Sequence, residues 1–237
     1  MTPLQRRPLG RALIAAVGTA VLATGGCSAQ PQEPSAAAKG DTIEYGAYEQ
    51  DGDASNGAEP IRWTVLDRID DRLLILAEDV LAARPYDADS FQAATWADSD
   101  LRAWLGSDFL NSAFSASQRE GIIATDLDNA DSRASGVDGG ADTTDMVFVL
   151  SETEYGIYLA DVENREYTAP APASRACADA GLYLDADGRT DWWLRSPGTY
   201  PYTAQYIQPD GAAFTGGSNV DATLGVRPAM WITAGEG

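Results

Sequence analysis

The sequence predicts a single α+β domain with mixed, mostly antiparallel sheets and short helices. Three observations predict it. Strand-like runs stand at both ends of the chain beyond Asp41, and helical spacing with capping signals fills the middle. No linker, repeat or low-complexity block divides residues 41–237. A stretch of roughly 200 residues can bury one core and has little room for two.

The elements follow in order. Ile43–Glu49 alternates and suits a first strand. A loop of Gly, Asp and Asn, Gln50–Glu59, leads to Ile61–Asp67 and Leu73–Ala77, which read as a hairpin across the polar Arg68–Arg72. Leu101, Trp104, Leu105 and Phe109 recur at helical steps, and Asp98, Ser99 or Asp100 can cap that helix. Ser115 with Gln118 has capping-box spacing, and so has Ser151 with Glu154, which opens a helix to about Leu159. Between them lie a polar loop, Leu127–Thr144, and a short apolar strand, Met146–Leu150. Ala173–Ala180 reads as a helix closed by Gly181. Trp192–Arg195, Thr203–Gln208, Ala212–Thr215 and Val226–Thr233 are the closing strands, with Pro209-Asp210-Gly211 as a turn.

The start of the chain reads as an address. Arg6, Arg7 and Arg11 precede fifteen uncharged residues, Ala12–Gly26, so Met1–Gly26 is expected to be a signal peptide. The run is short for a bilayer span. Thr24-Gly25-Gly26-Cys27 resembles the lipobox of bacterial lipoproteins, although Thr24 stands where Leu is usual. That resemblance implies a lipidated Cys27 and a membrane-anchored domain on the extracytoplasmic face. Two acyl chains anchor stably where one does not. Cys27–Gly40, rich in Ala, Pro, Gln and Ser, is expected to be a flexible tether.

Charge and composition narrow the function. The chain carries 36 acidic and 16 basic residues, a formal charge of −20. Without the leader the balance is 36 against 13, or −23. Nucleic acid would be repelled, and an anionic leaflet would not hold the domain by charge. There is no histidine, which removes Ser-His-Asp, Cys-His and His-ligated zinc chemistry. Lys39 is the only lysine. If Cys27 is acylated, Cys177 has no intrachain disulfide partner; it suits a buried apolar position better than a reactive one.

Six segments carry a family resemblance. They are Ile61-Arg62-Trp63-Thr64-Val65-Leu66-Asp67, Thr95-Trp96, Leu101-Arg102-Ala103-Trp104-Leu105, Thr143-Thr144-Asp145-Met146-Val147-Phe148-Val149-Leu150-Ser151, Trp192-Trp193-Leu194-Arg195-Ser196-Pro197-Gly198 and Gly225-Val226-Arg227-Pro228-Ala229. Together they resemble the bacterial domain-of-unknown-function family numbered six-two-seven-three, from about residue 41 to 233. The family brings no activity. Its closing blocks are distantly similar to C-type-lectin-like and formylglycine-generating-enzyme folds, which implies a C-type-lectin-like architecture by analogy. The calcium motifs of the lectins and the cysteine pair of the enzymes are missing, so neither mechanism comes with it.

Two constellations are candidates for binding. Trp192, Arg195, Tyr200 and Tyr202 can border a ligand cleft, since aromatic faces beside an arginine suit a sugar or a carboxylate. The same residues suit a core with an internal ion pair, and so does Arg227. Asp126, Asp128, Asn129 and Asp131 form an oxygen-rich run, a weak Ca²⁺ candidate without the glycine and distal glutamate of an EF-hand; a solvated acidic loop fits better. No other cofactor is indicated. The expectation is a non-catalytic surface domain for a glycan, peptide or protein partner, with a carboxylate-based or metal-assisted hydrolase of cell-wall or extracellular polymers as the alternative.

Overall fold

A computed structural model describes residues 31–89, 91–161, 166–167 and 169–235. The leader 1–26 and the lipidation candidate Cys27 lie outside the described residues.

The domain is α+β and is built on two five-stranded sheets. Sheet one holds β1 (Thr42–Tyr48), β2 (Glu59–Ile69), β3 (Arg72–Ala77), β5 (Ile122–Ile123) and β14 (Ala229–Thr233), in the order β1-β2-β3-β14-β5. All its pairings are antiparallel. Sheet two holds β4 (Ala82–Arg84), β10 (Trp192–Pro197), β11 (Thr203–Ile207), β12 (Ala213–Asn219) and β13 (Leu224–Val226), in the order β12-β11-β10-β13-β4. There the β10–β13 pairing is parallel. Two small ladders complete the sheets: β6 (Thr125–Leu127) with β7 (Thr143–Asp145), and β8 (Ala160–Asp161) with β9 (Glu166–Tyr167).

The β2–β3 hairpin forms as the apolar alternation dictates, with Ile61, Trp63 and Val65 buried. Its turn is tighter than expected. Ile69 pairs with Arg72, which leaves Asp70 and Asp71 as a two-residue loop, and Asp70 takes φ 55°. A bulge between Val65 and Asp67 breaks the alternation, so Leu66 is buried as well.

The helices are short: α1 (Asp100–Trp104), α2 (Leu110–Ala113), α3 (Ala116–Gly121), α4 (Glu152–Tyr158) and α5 (Arg175–Asp179). A π-helical turn, Leu105–Phe109, joins α1 to α2, so Leu101, Trp104, Leu105, Phe109 and Leu110 bury one continuous face. Ser99 caps α1 by accepting from the Arg102 N–H. The capping boxes at Ser115 and Ser151 both form.

Three expectations need correction. First, Val226–Thr233 is two strands. Arg227-Pro228 ends β13 in sheet two and starts β14 in sheet one, because proline offers no ladder N–H. Its partner makes the same crossing, since β3 pairs with β14 in sheet one and β4 pairs with β13 in sheet two. The two crossings join the sheets into one core running from Ala37 to Ala234.

Second, Met146–Leu150 is an extended buried segment and no ladder strand. Phe148 exchanges two backbone hydrogen bonds with Ala229 of β14, at 3.0 and 2.7 Å, and the Leu150 carbonyl accepts from the Arg195 N–H of β10. Its apolar run is explained by burial between the sheets: Val147, Phe148, Val149 and Leu150 are at most 1% exposed.

Third, residues 31–40 are no free tether. The Gln32 N–H donates to the Thr42 carbonyl, Ala37 is buried, and the Arg68 guanidinium donates to the Ser35 and Ala37 carbonyls. The small Ala37 side chain fits against the sheet, and Arg68 holds the turn before it.

Candidate functional site

The four residues read from the sequence as a cleft border divide between two places. Trp192 and Arg195 are interior. Tyr200 and Tyr202 lie on a surface turn.

Trp192 is fully buried, and its indole N–H donates to the Ala169 carbonyl at 3.1 Å. Its neighbour Trp193 is equally buried and donates to the Arg84 carbonyl at 2.9 Å. Trp192 therefore presents nothing to a ligand, which corrects that expectation. β10 lies between β11 and β13 in its sheet, and both of its faces are covered: Arg227 lies over the Trp192 ring, and Tyr86 packs edge-on against Trp193.

Arg195 is 5% exposed. It forms an ion pair with Glu154, whose Oε2 also accepts from Ser151 N–H and Oγ as part of the α4 capping box. Its Nε donates to Asn129 Oδ1 at 3.2 Å and its Nη1 to the Val149 carbonyl at 3.1 Å; Nη2 is 3.4 Å from the Asp128 carbonyl. The guanidinium fastens the long loop after β6 to the start of α4. Tyr86 donates to the Arg195 carbonyl at 2.9 Å, and complete burial pushes its hydroxyl pKa well above the usual tyrosine range.

Beside Arg195 is a cleft of about 290 Å³ lined by Asp126, Asp128, Asp131, Glu152 and Glu154. The calcium candidates thus reach one cleft, but their carboxylates do not gather into one ligand group among the described residues. Asp126 accepts from Thr144 Oγ1, and Asp131 from the Gly139 N–H. Glu152 accepts from Gln205 Nε2 at 3.0 Å. The acids that do gather are Glu49, Asp51 and Glu59, at the two ends of the β1–β2 loop. Loop N–H groups already bond them, at Gln50, Gly52 and Asp53. The Asn56 amide and the Asp53 N–H hold the Asp51 carboxyl below the usual range. Its sequence signal is Glu49, Asp51 and Glu59 bracketing a loop of Gly, Asp and Asn, and only the hairpin brings Glu59 back to the other two.

Tyr200 and Tyr202 form the surface feature. Their rings stack 3° from parallel with centroids 5.5 Å apart. Phe91, absent from the sequence candidates, meets Tyr202 edge-on at 5.5 Å. Phe91 is 69% exposed and Tyr200 56%. The three rings make an open aromatic shelf on a firmly held turn. Thr203 N–H and Oγ1 both donate to the Tyr200 carbonyl, at 2.9 Å each, and the Ala94 N–H ties the Phe91 loop to the Pro201 carbonyl. Gly198 is required beside it, because a Cβ there would lie 2.4 Å from Thr203 Oγ1. Phe91 holds φ 57°, a left-handed conformation that costs a bulky residue about 1–3 kcal/mol. An exposed aromatic ring in a strained backbone is unusual, since nothing in the core demands either.

Arg227 occupies the sheet crossing. Burial lowers its pKa to about 10, opposed by Asp79 and Glu78. Cys177 is buried, and desolvation raises its thiol pKa.

Fold and surface together define an α+β domain of two crossed sheets carrying an aromatic shelf. Residues 70–234 match the family described as Domain of unknown function (DUF6273), and the chain belongs to that family. No curated protein and no solved structure matches it.

Proposed function

We propose that this chain is a lipid-anchored, extracytoplasmic binding module, non-catalytic, whose Phe91–Tyr202–Tyr200 shelf receives a glycan. The observation that carries the reading is the shelf itself. Exposed aromatic faces on a rigid turn offer stacking area to a sugar ring at little entropic cost. The strain at Phe91 fits a residue kept for binding and not for stability. The hydrolase alternative draws less support, because Glu154 of the acidic cleft is committed to Arg195 and to the α4 cap. The lectin-like fold stays an analogy of the closing strands, and the shelf does not depend on it.

The anchor follows from the leader and Cys27, and among the described residues no helix is long and apolar enough to cross a membrane. Cys27→Ala should move the protein from the membrane fraction to the soluble one. Unchanged fractionation would remove the lipid anchor from the proposal.

The shelf is tested on a glycan array with two variants. Tyr202→Ala should reduce binding at least about tenfold, the size of an aromatic contact central to an interface. Phe91→Asn should weaken binding similarly and also raise stability by about 0.5–1 kcal/mol, because Asn tolerates the left-handed region. Opposite signs for binding and stability in one variant distinguish a functional ring from a structural one. Equal glycan binding by wild type and both variants would sink the shelf as a binding site.

A further inference from the structure

Arg227 is buried and leaves part of its guanidinium unbonded. It is 5% exposed, its Nε donates to the Ala77 carbonyl at 2.7 Å, and its Nη1 donates to the Ala169 carbonyl at 3.0 Å. The guanidinium lies over the Trp192 ring, 5.2 Å from its centroid. Nη2 has no hydrogen-bond partner among the described residues, and none of their carboxylates comes within ion-pair distance. Glu78 is taken up by Arg62 and Thr42, and Asp79 acts on Arg227 only at longer range. A buried cation without a close counter-ion is costly, so the place invites an anion.

A cavity opens at that point. Arg227 lines about 320 Å³ of space together with Val65, Leu66, Leu76 and Tyr158, and the exposed Lys39 stands at the rim. The β2 bulge turns both Val65 and Leu66 inward and gives the cavity its apolar wall. Lys39 is the chain's only lysine, and its ammonium lies 5.8 Å from the Tyr158 ring centroid. Two cations thus face one apolar space in a chain of charge −20. The volume lies at the small end of ligand pockets.

We propose that this cavity binds a small monocarboxylate with an apolar body, the carboxylate on Arg227 and the hydrocarbon against Val65, Leu66 and Leu76. Arginine presents a planar fork that fits a carboxylate with two hydrogen bonds. A multiply charged phosphate fits poorly, because Glu78 and Asp79 already act on the guanidinium and would repel it, and the walls are apolar. The site shares no residue with the aromatic shelf, so either can fail alone.

The test is an amide-resolved NMR titration of the protein with octanoate, hexanoate, hexan-1-ol and hexylamine. Octanoate and hexanoate should give saturable shifts at Val65, Leu66 and Leu76, with hexanol and hexylamine at least about tenfold weaker than hexanoate, as loss of a charged hydrogen-bonded pair implies. Lys39→Ala should weaken the acids about two- to fivefold, the size of an exposed ion pair. Thr64→Phe places a ring at the cavity wall on a half-exposed strand position, and should abolish the saturable shifts while the remaining spectrum stays folded. Equal affinity for acid and alcohol, no saturable shift with either acid, or undiminished binding in Thr64→Phe would each overturn the proposal.

Discussion

Arg195→Ala should destabilise the domain by about 3 kcal/mol, the low end for breaking a buried ion pair. The low end applies because the Glu154 side chain keeps 23% of its surface. The loss has several parts. Glu154 keeps its capping bonds to Ser151 but loses its counter-charge. Asn129 Oδ1 and the Val149 carbonyl lose their donor, and the stem leaves the Phe148 ring, 5.7 Å from the guanidinium carbon. For a domain of this size such a change lowers the melting temperature by about 6–12 °C. Arg195→Met should fall between, since it retains a packed stem and loses only the polar bonds. The loop from Asp128 to Asp142 should show the local effect. Asn129 N–H donates to Asp142 and its amide to the Ala141 carbonyl, so releasing Asn129 loosens both ends of the loop. Hydrogen exchange there should quicken more than in β2 or β3. A loss under about 1 kcal/mol in thermal melts, with loop exchange unchanged, would show that Arg195 is not the fastener described here.

The sequence made local features visible and nonlocal ones only in part. The capping boxes at Ser115 and Ser151 were readable because both partners lie within one helical turn. The β2–β3 hairpin was readable from alternation alone. Val226–Thr233 was not readable as two strands, because an apolar run reports burial and not which sheet does the burying. Met146–Leu150 is strand-like in sequence for the same reason, while its pairing reduces to one residue, Phe148 with Ala229. Tyr200 and Tyr202 were legible as an aromatic cluster since they lie two residues apart. Phe91, more than a hundred positions away, carries no local mark of joining them, and its left-handed backbone has none of the Gly or Asn that normally announces one. Alternation along a strand puts Trp192 and Arg195 on opposite faces, and the two side chains have separate surroundings. It could not say that both faces are covered, since that depends on Ala169, Arg227 and Glu154 arriving from other parts of the chain.

Trp192→Ala should cost more than any change on the shelf, about 3–5 kcal/mol. Trp192 has no exposed surface, its N–H holds the Ala169 carbonyl, and its ring supports the guanidinium of Arg227. Ala169 and Arg227 are also bonded to each other, so the ring is one side of a three-membered contact at the sheet crossing. Removing it leaves a cavity and withdraws cation–π support from a charge that already lacks a close counter-ion. A domain of ordinary stability, about 5–15 kcal/mol, can lose most of its margin to that single change. Trp192→Phe should cost about half as much, because a ring still faces Arg227 while the indole N–H is gone. Tyr200→Ala, eight positions further along and just past the same family block, should cost no more than about 0.5 kcal/mol. Denaturant melts of the three variants separate the readings cleanly. If Trp192→Ala were as mild as Tyr200→Ala, the Trp-Trp-Leu-Arg block would not be the packed seam of the two sheets. If Tyr200→Ala were as severe as Trp192→Ala, the shelf would be part of the core and its exposure no sign of a ligand.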